Sequence, residues 1–119
     1  MRLASFAKQR KQIFFKGGSS VSNNVDLETI SGMPSFMVDR DTRIHDICFH
    51  AMGSFNLTLI LRVNGSPVFS QNITETYQVI ELEETIETEK FDNISIRLES
   101  SGSLGSNMTQ SCEVRLICA

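Results

Sequence analysis

The stretch FNLTLILRVNGSPVFSQNI, residues 55 to 73, constrains the fold of this chain more than any other. Apolar residues alternate at Phe55, Leu57, Leu59, Leu61 and Val63, the period of a strand with one face in a core. The opposite face carries Asn56, Thr58, Ile60 and Arg62, so it is mixed rather than apolar. Asn64-Gly65 follows, and this pair supplies the positive φ angles of a type I′ hairpin turn. A two-residue loop would set Leu61 opposite Val68. Pro67 has no N–H to give a ladder, so the return strand is expected at a sheet edge.

The same pattern recurs along the chain. Phe36–Val38 is a short apolar run, and Arg43–Ala51 is rich in β-branched, aromatic and small apolar residues. Tyr77–Leu82 reads as a strand. Asn93–Leu98 alternates, as do Cys112, Val114, Leu116 and Cys118. Convincing helical periodicity is absent from the body. The expected fold is therefore all-β: an antiparallel β-sandwich, of jelly-roll or related Greek-key form, with an N-terminal arm. A chain of 119 residues with 40% apolar and 21% charged residues is sized for one such domain. No apolar run approaches the ~20 residues of a membrane helix, and no membrane association is expected.

Charge divides the chain. Arg2, Lys8, Arg10, Lys11 and Lys16 all precede the first acid, Asp26, although the net charge is −3. Residues 1–24 read as a basic amphipathic arm followed by a hinge, GGSSVSNN, and residues 25–119 as the sandwich. The basic residues interrupt any apolar core, so the N-terminus does not read as a secretory signal. Leu3, Phe6, Ile13, Phe14 and Phe15, with Arg10, Lys11 and Lys16, are the candidate partner-binding residues of the arm. Glu81, Glu83, Glu84, Glu87 and Glu89 form an acidic stretch, expected as a solvated connection with one helical turn near 82–86, and a candidate docking surface for a basic partner.

Catalytic, cofactor and metal sites are not expected. Asp46, Cys48 and His50 would share one side of a strand, but zinc wants four ligands at sharper spacing, and the other histidine, His45, falls on the opposite face. The acidic stretch lacks the tight Asp/Asn/Gly intervals of a calcium loop. No nucleophile triad, phosphate-cradling glycine loop or zincin motif is present. Nucleic acid is not the expected partner, since the body lacks basic residues interleaved with stacking aromatics. The lack of Trp and the single tyrosine, Tyr77, weaken a sugar-stacking role.

Cys48, Cys112 and Cys118 leave one thiol unpaired at best. On one strand, Cys112 and Cys118 would lie ~20 Å apart, beyond disulfide reach. Free, buried thiols made in a reducing cell are expected. Asn56, Asn64, Asn72, Asn93 and Asn107 each open an N-x-S/T triplet. In a secreted glycoprotein domain these would be glycan acceptors; in alternating strands rich in Ser and Thr they arise by composition.

A basic, Gly/Ser-hinged arm before a small Trp-free β-sandwich resembles the accessory virion proteins of tailed bacteriophages. LTLILRVNGSPVFSQNI is similar to the strand–VNG–strand hairpins of jelly-roll decoration, head-fibre and appendage proteins, a likeness of pattern over about residues 36–118. It implies a non-enzymatic structural protein on the virion, made in the host cytoplasm. Such a protein would decorate or cement the capsid, with capsid or other virion proteins as partners and a homo-oligomeric state. The alternative is a receptor- or glycan-binding module of a fibre or tail appendage.

Overall fold

The computed structural model describes residues 11–17, 24–52, 56–100 and 112–119. Within them the chain forms ten strands: β1 (Lys11–Lys16), β2 (Asn24–Asp26), β3 (Glu28–Thr29), β4 (Phe36–Met37), β5 (Thr42–His50), β6 (Leu57–Val63), β7 (Ser66–Ile73), β8 (Tyr77–Thr88), β9 (Asn93–Ser100) and β10 (Glu113–Cys118). One sheet runs β3-β1-β10-β5-β8; the other runs β2-β9-β6-β7, with β4 also on β9. All pairings are antiparallel. The long pairs are nested, β1 with β10, β2 with β9, β5 with β8 and β6 with β7. A long hairpin wound over two sheets in this way is the jelly-roll connectivity.

Alternation builds the core. Leu59 and Leu61 on β6 pair with Leu98 and Ile96 on β9, and these four are buried together with Leu57 and Ile94 of the same strands. Across the sandwich they meet Ile44, Ile47 and Phe49 of β5 and Val114, Leu116 and Cys118 of β10. The Asn64-Gly65 turn forms as its chemistry requires, with φ of 53° and 83°, and Val63 pairs with Ser66 across it. Pro67 lies at the start of β7, the edge strand of its sheet.

Three expectations are corrected. The ladder slips after Arg62–Pro67, so Leu61 pairs with Phe69 and Val68 becomes the extra residue, 47% exposed. A bulge of this kind bends an edge strand and re-aims its side chains. The acidic stretch is no helical connection: β8 continues to Thr88.

The largest correction concerns the arm. Residues 11–16 are not a free segment but an interior strand, paired with β10 from Lys11–Cys118 to Lys16–Glu113 and with β3 on the other side. Ile13 and Phe15 are in the core, 1% and 0% exposed. The body therefore includes Lys11–Lys16 and does not begin at Val25. The physical reason is the period: Ile13 and Phe15 are two apart, which suits a strand with one face in a core, and they pair with the buried Leu116 and Val114 of β10.

Candidate functional site

The outer face of the β2-β9-β6-β7 sheet is polar, and its features follow from the positions that alternate away from the core. Asp26 on β2, Arg97 on β9 and Ile60 on β6 form one row across it. The next outward row holds Ser95 and Arg62. Arg97 is clamped, its Nε donating to Glu99 Oε2 at 2.8 Å and its Nη1 to Asp26 Oδ1 at 3.1 Å. The Glu99 bond, then Asp26, hold its guanidinium charged by raising its pKa.

Arg62 is treated differently. Arg40, Arg43, Arg97 and Arg115 each have a carboxylate within 3.3 Å. Among the described residues Arg62 alone of the arginines has none, and its Nε is shut off from water without a hydrogen-bond partner. A buried donor left unpaired costs ~1–3 kcal/mol, and such a group in a native fold is a flag for function.

The Arg62 side chain lines a recess of about 490 Å³, within the roughly 300–1,000 Å³ of small-molecule sites. Asp26, Ser35, Asn64, Asn93 and Ser95 supply its other polar groups. Pro34 and Gly65 add backbone walls. Its end wall is fixed by a network at the hairpin tip. Asn64 Nδ2 donates to Asp92 Oδ1 at 2.8 Å, the Asn93 N–H donates to Asn64 Oδ1 at 2.9 Å, and the Asn64 N–H donates to the Asn93 carbonyl at 2.7 Å. Asp92 also accepts the Glu89 N–H, and this bond first, then the Asn64 amide, hold its carboxyl below the usual range. Serine and amide groups with spare hydrogen-bonding capacity, around one unmatched cation, suit a hydroxyl-rich ligand with an acidic group.

The residues singled out from the sequence are not brought together here. Leu3, Phe6 and Arg10 lie outside the described residues, as does Asn107. Lys11 pairs with Asp39 at 3.4 Å, and Lys16 is exposed opposite Glu113. Phe14 lies on the outer face of the other sheet, with the Arg115 guanidinium 5.9 Å from its ring centre. Ile13 and Phe15, being core, have no surface to offer a partner. Glu81, Glu83, Glu84, Glu87 and Glu89 are exposed on and just after edge strand β8, with Glu87 held by Arg43 at 3.2 Å.

Asp46, Cys48 and His50 share an outer face, where the His50 ring meets Tyr77 edge-on at 5.9 Å. Among the described residues no group of three or more His, Cys, Asp or Glu is arranged to hold a metal. The three cysteines are free. Asn64 and Asn72 spend their side-chain amides on internal hydrogen bonds, Asn72 to Asn56 Oδ1 at 2.8 Å and to the Leu57 carbonyl at 3.2 Å.

Sequence reasoning missed Arg62. It stood among the mixed residues of β6, and the signal available was a lone arginine on the outward face two residues before the turn.

No protein-family model matches the chain, and no curated protein does. Among solved structures, a family 35 carbohydrate binding module from Clostridium thermocellum is similar over 91% of this chain and 96% of its own, at 13% identity and a TM-score of 0.46.

Proposed function

We propose that this protein is a non-catalytic binding module that holds a carbohydrate, preferably one bearing a carboxylate, in the Arg62 recess. The observation that carries this reading is the unmatched, half-buried Arg62 guanidinium among serine and amide groups. A carboxylate from the ligand would give the half-buried Arg62 guanidinium the ion-pair partner that no described residue supplies. Binding rather than hydrolysis is favoured because glycoside cleavage ordinarily needs a pair of carboxyl groups, and the lining carries one, Asp26, already engaged by Arg97. Carbohydrate binding is also what the similar clostridial sandwich is named for, but the case for this chain rests on its own recess.

The test is titration of neutral and carboxylate-bearing oligosaccharides, followed by calorimetry and by the Arg62 side-chain NMR signal. Binding of acidic sugars, weakened tenfold or more by Arg62→Ala and less by Arg62→Lys, is expected. Equal affinity in parent and Arg62→Ala, or no binding by any sugar, would sink the reading.

A second reading, decoration of a phage shell, draws on the connectivity: jelly rolls build both capsid and lectin domains. The fold does not choose between them. Ile13 and Phe15 are in the core and could not serve as its anchors, which leaves Phe14 and Lys16 among the described residues of the arm. Co-sedimentation with purified particles tests it, and a protein that stays in the supernatant does not decorate.

A further inference from the structure

The Arg62 recess has a neighbour on the same sheet face. At the other end of β6 a second recess, of about 380 Å³, is lined by Asn24, Asn56, Leu57, Thr58, Glu99 and Ser100. The ladder joins the two. Ser95 and Arg62 make one outward row, Asp26, Arg97 and Ile60 the next, and Asn24, Glu99, Thr58 and Asn72 the third. Arg97 ties the ends together: Asp26, bonded to it at 3.1 Å, lines the first recess, and Glu99, bonded at 2.8 Å, lines the second. Beside it on β6 the half-buried Ile60 gives the middle row an apolar surface.

The second recess differs from the first in its chemistry. Among the described residues the Thr58 hydroxyl has no hydrogen-bond partner, and Asn56 accepts from Asn72 through Oδ1 while its Nδ2 donates to nothing. Glu99 accepts from Arg97 through Oε2 and has its other oxygen in reserve. A hydroxyl, an amide donor and a carboxylate acceptor suit the hydroxyls of a neutral sugar, each of which both donates and accepts. A ligand carboxylate is disfavoured at this end, because it would stand against Glu99. Thr58 and Arg62 are four residues apart on one strand, a distance of ~13 Å. That is more than one pyranose ring can bridge and within reach of a short oligosaccharide.

We propose that the two recesses are the ends of one track for an oligosaccharide, with an acidic sugar at Arg62 and a neutral sugar at Thr58, Asn56 and Glu99. This rests on the carbohydrate reading of the Arg62 recess and adds to it the length of the ligand and the place of its charge. Arg97 already faces two carboxylates, so the ligand's carboxylate goes to Arg62, which has none among the described residues. The same two bonds hold Arg97 in place before any ligand arrives, so the middle of the track is ordered in advance and binding need not immobilise it. The apolar face of the middle sugar rests on Ile60.

The experiment is calorimetry and NMR on the full chain with three kinds of probe: glucuronic acid, glucuronic acid extended at either end by neutral hexoses, and a chain of glucuronic acid throughout. Affinity should rise tenfold or more from the monosaccharide to the longest neutral extension. Thr58 and Glu99 signals should move only with the extended ligands, and Arg62 signals with all of them. Thr58→Ala combined with Asn56→Ala should return the extended ligand to the affinity of glucuronic acid. The all-acid chain should gain less than the mixed one of equal length, and Glu99→Gln should narrow that gap. Equal affinity for short and long ligands, or still Thr58 and Glu99 signals while those of Arg62 move, would overturn the track and leave the Arg62 reading standing. An all-acid chain that binds as tightly as the mixed one would overturn the neutral end. Silence at Arg62 with every probe is a different failure, that of the carbohydrate reading itself, and the track falls with it.

Discussion

Asn64 and Asp92 hold the two loops at one end of the sandwich together, the amide of one donating to the carboxylate of the other at 2.8 Å. The bond joins the β6–β7 turn to the β8–β9 turn, where Phe91 adopts a left-handed φ of 73°. It fixes the end wall of the Arg62 recess.

Protonating Asp92 should loosen this end. Its folded pKa is lowered, so the stabilisation is present above the ordinary carboxylate value of 3.8 and is lost as pH falls through the lower folded value. Asp92→Asn should be less stable than the parent at neutral pH, and the gap should narrow in acid below pH 3.8. Paired denaturant curves at several pH values check this, and a pH-independent gap contradicts it.

Strand β1 makes a second prediction. Phe15→Ala removes a fully buried ring and should cost about 3–5 kcal/mol. Deleting residues 1–16 should abolish folding, because it strips β10 of one neighbour and β3 of its partner. Circular dichroism and urea melts read both, and a folded deletion product would show that β1 is dispensable.

The facing of β6 gives a third. Leu59 is fully buried between Leu98 and Gln71 in the ladder. Leu59→Ala should cost about 2–5 kcal/mol, and Leu59→Asp more, because it buries a charge. Thr58→Ala, facing out one residue away, should change stability little. Urea midpoints that rank the three otherwise would reverse the assigned face.

The thiols give a fourth. Burial pushes Cys112 up to about 12 and Cys118 up to about 11. Cys48 is raised too, by its partial burial and then by Asp46, yet it is the most accessible of the three. At pH 8 a thiol reagent should modify Cys48 first in the native protein and the other two on unfolding. Rapid native labelling of Cys112 would contradict their burial.

Gly65 offers a fifth, from the turn. Its φ of 83° lies in open space, so Gly65→Ala meets no neighbour and pays for conformation alone. The cost should be about 1–2 kcal/mol, read as a shift in thermal midpoint.

Much of this molecule was legible in residue order because its causes are local. Alternation at Leu57, Leu59 and Leu61 names a buried face, and Asn64-Gly65 names a turn, from side chains within a few residues of each other. The tertiary structure decided what depends on distant partners. Phe15 has one sequence context whether it lies in a groove or a core; its pairing with Val114, 99 positions later, settled that it is core. Arg62 reads as one more outward residue until its surroundings show that, among the described residues, no carboxylate lies within ion-pair distance of it. The acidic run became a sheet edge because β5 pairs with it on one side alone. Local geometry follows from the chain's own chemistry, whereas burial, charge pairing and open edges are properties of neighbours, and neighbours are chosen only when the two sheets close.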